Sequence, residues 1–130
     1  MNPKKSGVLA GKKILVVEDT DSNYELIRVN LLSIGAIIER AIFGEDAVKM
    51  IAGSQKFDLI IMDTKLPGMD GYETTRKIRE LDKDIPIIAN TAYAFAGEEK
   101  KALRAGSTAY LPKPTLKEDL IETITNLLSE

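Results

Sequence analysis

Five short runs rich in apolar and β-branched residues, KILVV, GAIIERA, LIIMD, IPIIANT and AYLPKP, are each followed by a stretch long enough for an amphipathic helix. This alternation constrains the fold more than any other feature of the chain. Strands that are bounded by helices and apolar on both faces imply right-handed crossovers onto a mainly parallel sheet covered on both sides. The expectation is a doubly wound α/β domain of five strands and five helices. The 130 residues hold one such domain. Residues 1–11 are polar and unpatterned and read as a flexible leader or the end of a linker, with the domain proper over 12–130. No fixed-period repeat and no low-complexity tract interrupts it.

Several local signals sharpen the element boundaries. Ser22 with Glu25 reads as a capping box ahead of Tyr24, Ile27, Leu31 and Ile34, which share a helical face. Thr115 with Glu118 repeats the pattern ahead of Leu116, Leu120, Ile124 and Leu127. The segment KLPGMDG, from Lys65 to Gly71, concentrates residues that preset φ or tolerate positive φ, and so predicts a shaped loop after the third strand. Gly106 is placed to end the fourth helix in a left-handed conformation.

Composition narrows the chemistry. The chain has no Cys and no His, which removes disulfides, thiolate nucleophiles, imidazole metal ligands and a Ser-His-Asp triad. Lys plus Arg number 18 against 20 Asp plus Glu, for a net charge of -2, and no basic block follows a phosphate backbone, so direct nucleic-acid binding is disfavoured. No apolar run approaches the ~18 residues of a membrane span, and the N-terminal residues lack a signal-peptide apolar region; a cytoplasmic protein is the expectation.

In a doubly wound sheet, ligands bind beyond the carboxyl ends of the strands where the strand order reverses. The first strand ends in Glu18-Asp19, the third in Asp63, the fourth in Thr91 and the fifth in Lys113. With the order 2-1-3-4-5, Glu18, Asp19 and Asp63 converge on one pocket. Three carboxylates that close need protonation or a cation, and an oxygen-only donor set suits Mg²⁺. Lys113 and Thr91 offer a positive charge and a hydroxyl donor suited to phosphoryl oxygens, and an Asp carboxylate can itself accept phosphate. Taken singly, each residue has an ordinary reading: Glu18, Asp19 and Asp21 as helix-dipole partners, Asp63 as a turn residue, Thr91 as a strand residue, Lys113 as a solvated lysine, Tyr110 as a core or edge aromatic. Acid, acid, hydroxyl and lysine on successive strand ends together favour the phosphoryl reading.

With these residues in place, the sequence resembles the receiver domains of two-component response regulators, the family of the chemotaxis response regulator. The likeness runs from Lys12 to about Leu128 and is carried by ILVVEDTDSN, LIIMDTKLPGMDGYE, NTAYAFAGEEKKALRAG and YLPKP in that order. The segment from Asn90 to Gly106 resembles receivers fused to hybrid sensor histidine kinases more than those of transcription factors. The resemblance implies a flavodoxin-like (βα)5 fold of order 2-1-3-4-5, in which Asp63 accepts a phosphoryl group from a histidine kinase or phosphotransfer protein. It implies Mg²⁺ held by Asp19, Asp63 and the backbone carbonyl of Lys65, with Glu18 acting through a metal-bound water. Lys113 would pair with the phosphoryl group and Thr91 would move to bond it, coupled to an inward turn of Tyr110. That motion would reshape the face of the fourth helix, fifth strand and fifth helix for a downstream effector or self-association. The Lys113-Pro114 bond is expected to be cis. Such a domain is a phosphoacceptor rather than an enzyme in the ordinary sense, with Mg²⁺-dependent self-phosphotransfer and autodephosphorylation. With no His among these residues, the phosphoryl donor is expected to lie outside this segment.

Thr20, where Asn or Asp is frequent, and Ser107-Thr108-Ala109, where an acidic stretch is frequent, depart from the family pattern and bear on partner recognition. By the same resemblance, Lys65 and Tyr93 occupy positions that vary within the family and tune water access to the phospho-aspartate. Two rival chemistries and one rival role remain at this point. Asp19-Thr20-Asp21 echoes the paired aspartates of haloacid-dehalogenase-type phosphatases, although Asn23 stands where Thr is expected. A flavin carrier on the same architecture would need a phosphate loop after the first strand, where three acids stand instead. A receiver that binds partners without being phosphorylated would carry the same fold.

Overall fold

The computed structural model describes residues 7–92 and 95–129. Five strands alternate with five helices: β1 (Lys13–Val17), α1 (Asp21–Leu32), β2 (Ile37–Ala41), α2 (Gly44–Ala52), β3 (Leu59–Asp63), α3 (Gly71–Leu81), β4 (Ile87–Thr91), α4 (Glu98–Ala105), β5 (Ala109–Pro112) and α5 (Lys117–Leu128). The strands form one parallel sheet in the order β2-β1-β3-β4-β5, as the 2-1-3-4-5 expectation requires.

Period-two alternation splits each central strand between two cores. Ile14 and Val16 of β1, Leu59 and Ile61 of β3, and Ile88 of β4 pack with Ile27, Leu31, Leu120 and Ile124 of α1 and α5. Leu15, Val17, Ile60, Met62 and Ile87 face the other way, against Ala47 of α2 and Ile78 of α3. A smaller cluster joins Tyr72, Ala89, Ala102 and Ala105, with Tyr110 packed against it. Only the central strands are apolar on both faces. The edge strands β2 and β5 are largely half-exposed, because a sheet edge has a neighbour on one side only.

Part of the stretch expected to be a leader packs against the domain. Leu9 is 2% exposed in the first core, and its N–H donates to the Ile34 carbonyl at 3.0 Å. A single apolar residue inside a turn carries no periodicity, so sequence patterning does not reveal it. Both expected capping boxes are also absent. α1 starts at Asp21 with Thr20 as its N-cap and no side-chain cap, and Glu25 pairs with Arg28 one turn along (Arg28 Nε to Glu25 Oε1, 3.0 Å). α5 starts at Lys117 with Leu116 as N-cap, which leaves Leu116 63% exposed instead of on the buried face. Thr115 is engaged elsewhere: its hydroxyl accepts from Asn90 Nδ2 at 2.9 Å. The KLPGMDG loop ends as a cap, with Asp70 Oδ1 accepting the Glu73 N–H at 2.9 Å ahead of α3. Gly106 ends α4 with φ +117°, and Lys113-Pro114 is cis, both as expected.

Candidate functional site

Parallel register places the expected residues at one end of the sheet. Val17 pairs with Met62, Asp63 with Asn90, and Thr91 with Pro112. The residues that follow β1 and β5, Glu18-Asp19 and Lys113, therefore emerge beside Asp63 and Thr91. One ligand oxygen from each of Glu18, Asp19 and Asp63 lies within 4.8 Å of the others. Glu18 is 1% and Asp63 4% exposed, and Thr91 is fully buried. Lys113 Nζ lies 2.9 Å from Glu18 Oε1 and 3.5 Å from Asp63 Oδ1.

Every polar group of Glu18 is engaged. Its N–H donates to the Ala41 carbonyl at 3.0 Å, its Oε2 accepts the Thr20 N–H at 3.2 Å, Oε1 meets Lys113, and its carbonyl accepts Arg40 Nε at 3.0 Å. Asp63 Oδ1 accepts the Lys65 N–H at 3.0 Å. Burial pushes the Asp63 carboxyl up to about 7; the Lys65 N–H pulls it down, the charge of Glu18 adds to the rise, and Lys113 offsets part of it. Lys113 is itself positioned from across the sheet, since Asn90 Nδ2 donates to the Leu111 carbonyl and to Thr115 Oγ1, both at 2.9 Å, bracketing the turn that carries it.

The donor set fits a hard divalent cation. It offers oxygen only, and three carboxylates with the Lys113 ammonium against two of them leave formal negative charge that a divalent ion balances. Tyr110 lies on β5 opposite Ala89, two register positions from the Thr91–Pro112 pair, and packs on the Tyr72 cluster. Tyr93 lies outside the described residues. Asp21, the second aspartate of the phosphatase-like reading, is outside the carboxylate group and pairs with Arg40 at 2.9 Å. Sequence reasoning missed Arg40 and Asn90. The signal for Arg40 is a cation near the carboxyl end of the strand that flanks β1, meaningful only once the strand order is known.

Comparison with known proteins agrees with this geometry. The family model described as "Response regulator receiver domain" matches residues 14–125. The response regulator MprA of Mycobacterium ulcerans is 37% identical over 116 residues, which cover 89% of this chain and 50% of that protein. The sensor histidine kinase RcsC of Escherichia coli is 35% identical over 112 residues, covering 86% of this chain and 12% of that protein. Among solved structures, the receiver domain of sensor histidine kinase PA1611 from Pseudomonas aeruginosa, with a magnesium ion coordinated in its active site cleft, superposes with a TM-score of 0.86. It is 36% identical, covering 93% of this chain and all of that one.

The fold and the acidic cleft thus define a phosphoacceptor signalling domain of two-component systems. The chain belongs to the response regulator receiver family. It spans half or less of the length of these curated relatives, which include both response regulators and histidine kinases. Among the described residues no helix is long and apolar enough to cross a membrane.

Proposed function

We propose that Asp63 accepts a phosphoryl group from a phosphohistidine on a histidine kinase or phosphotransfer protein. The observation that carries this reading is the placement of Lys113 Nζ between Glu18 Oε1 and Asp63 Oδ1, at 2.9 and 3.5 Å, in a buried group of three carboxylates. An Asp63 carboxylate oxygen attacks phosphorus, the O–P bond forms as the P–N bond to the donor imidazole breaks, and the imidazole leaves. Asp63 must be ionised to attack, and Lys113 favours that state. Lys113 and the Thr91 hydroxyl then bond the phosphoryl oxygens.

Asp19, Asp63 and the Lys65 carbonyl would hold Mg²⁺, with Glu18 contributing through water. When bound, the ion neutralises charge developing on the transferred group. Water later hydrolyses the acyl phosphate and resets the domain. Engagement of Thr91 shifts Tyr110 and changes the α4-β5-α5 face presented to an effector or a second copy. The reaction belongs in the cytoplasm, with the kinases that supply it.

Intact-mass spectrometry after incubation with acetyl phosphate tests the assignment. One phosphoryl group added only with Mg²⁺, and absent from Asp63→Asn, is the expected result. Equal modification of Asp63→Asn, or none of the wild type, overturns it.

A further inference from the structure

Arg40 occupies the side of the β1–α1 turn away from Lys113. Its Nε donates to the Glu18 carbonyl at 3.0 Å, its Nη1 lies 2.9 Å from Asp21 Oδ1, and its guanidinium stacks 4.5 Å from the centre of the Tyr24 ring on α1. The side chain is mostly buried, and its Nη2 has no hydrogen-bond partner among the described residues. Burying an unpaired N–H opposes stability, so fold stability alone does not explain an arginine here. The Asp21 contact does not explain it either, because that carboxylate is 93% exposed and exposed ion pairs contribute little.

The contact with consequence is the Glu18 carbonyl. The Glu18-Asp19 peptide is planar, so holding its oxygen also holds the Asp19 nitrogen and the direction in which the Asp19 side chain leaves the backbone. Asp19 and Glu18 supply two of the three convergent carboxylates. The other polar groups of Glu18 are held by Ala41, Thr20 and Lys113, which leaves the carbonyl to Arg40.

We infer that Arg40 is a positioning residue of the divalent-cation site: its planar fork, braced on Tyr24, sets the Glu18-Asp19 peptide so that the Asp19 carboxylate meets Asp63 at the ion. This rests on the metal-site reading above. Its sign is distinctive, because a nearby positive charge by itself opposes cation binding. Arg40 assists only through geometry, and lysine, which keeps the charge but not the fork, cannot replace it.

Calorimetric titration with MgCl₂ of wild type, Arg40→Lys, Arg40→Gln and Tyr24→Leu separates the possibilities. The inference expects Arg40→Lys and Arg40→Gln to bind Mg²⁺ about tenfold more weakly, the size common for residues that orient metal ligands. Tyr24→Leu should shift in the same direction by a smaller factor, which keeps the test open if either Arg40 variant folds poorly. A merely structural role would lower the Mg²⁺-free melting temperature and leave the affinity of the folded protein unchanged. Arg40→Lys equal to wild type, or Arg40→Gln tighter than wild type, overturns the inference while leaving the metal site standing. If wild type and Asp19→Asn both fail to bind Mg²⁺, the site reading fails and takes the inference with it.

Discussion

Two polar clusters of similar ingredients sit side by side and behave oppositely. In one, Glu18 and Asp63 share the Lys113 ammonium, with the Asp19 carboxylate beside them. In the other, the Tyr72 hydroxyl donates to Glu98 Oε1 and Lys101 Nζ lies 4.6 Å from the centre of the Tyr72 ring, so each group has a complement. The carbonyl of Thr64, the residue after Asp63, accepts the N–H of Gly71, next to Tyr72 in the chain, at 3.1 Å and joins the two. Burial pushes Tyr72 up to about 12, helped by Glu98, and this keeps the phenol in the state in which it donates. Burial pushes Asp63 up to about 7, which opposes the state in which it can act. The satisfied cluster holds α3 to α4. The carboxylate cluster is left short of positive charge, and that shortfall suits it to receive a cation and a transferred group.

Gly71 lies where the two clusters meet, and substituting it should have the largest effect. A Cβ there would stand 2.2 Å from the Asp63 carbonyl oxygen and 2.7 Å from the Thr64 Cα, and backbone cannot rotate away. Gly71→Ala is expected to destabilise by about 3 kcal/mol in urea unfolding and to slow phosphorylation by acetyl phosphate, because the strand end carrying Asp63 must move. Full stability and rate would show that the two clusters are not joined at this point.

Asp63→Asn sharpens the contrast from the other side. Between the ordinary 3.8 and about 7, folded Asp63 retains a proton that the unfolded chain has released. Stability of the Mg²⁺-free wild type therefore falls as pH rises through that window. The variant should remove most of that fall and gain about 2 kcal/mol at pH 8, measured by urea unfolding in EDTA. Tyr72 has the same sign, with stability lost as pH rises between 10.0 and about 12, a window far from neutrality. A flat wild-type profile from pH 4 to 8 would remove the claim that the carboxylate cluster is frustrated.

The smallest expected effect is that of Tyr72→Phe, which keeps the ring under Lys101 and loses only the bond to Glu98. A loss of about 1 kcal/mol is expected, with Mg²⁺ affinity unchanged. A change in Mg²⁺ affinity would mean that the satisfied cluster also shapes the cleft.

Much of this arrangement was legible in the chain. KLPGMDG, Gly106 and the strand-ending acids are local features whose meaning depends on backbone preference or on the next few residues, and the family resemblance supplied their order. The failures share a cause. Ser22 and Thr115 had the right neighbours for capping boxes, but Glu25 found Arg28 and Thr115 found Asn90, a partner 25 positions away in sequence. Leu9 reaches the core without any periodicity to announce it. Arg40 carries no local signal, and its meaning appears only once β2 is known to lie beside β1.

The sequence by itself determined that strands and helices would alternate and that acids, a hydroxyl and a lysine would stand at successive strand ends, because apolar periodicity and turn chemistry act over a few residues. Only the tertiary structure decided that Glu18 and Asp63 would share Lys113 beside Asp19, that Arg40 would hold the Glu18 carbonyl, and that Tyr72 would find Glu98. Those pairings depend on strand order and register, which bring together residues far apart in the chain, and on burial, which strengthens every charge interaction that water would otherwise screen.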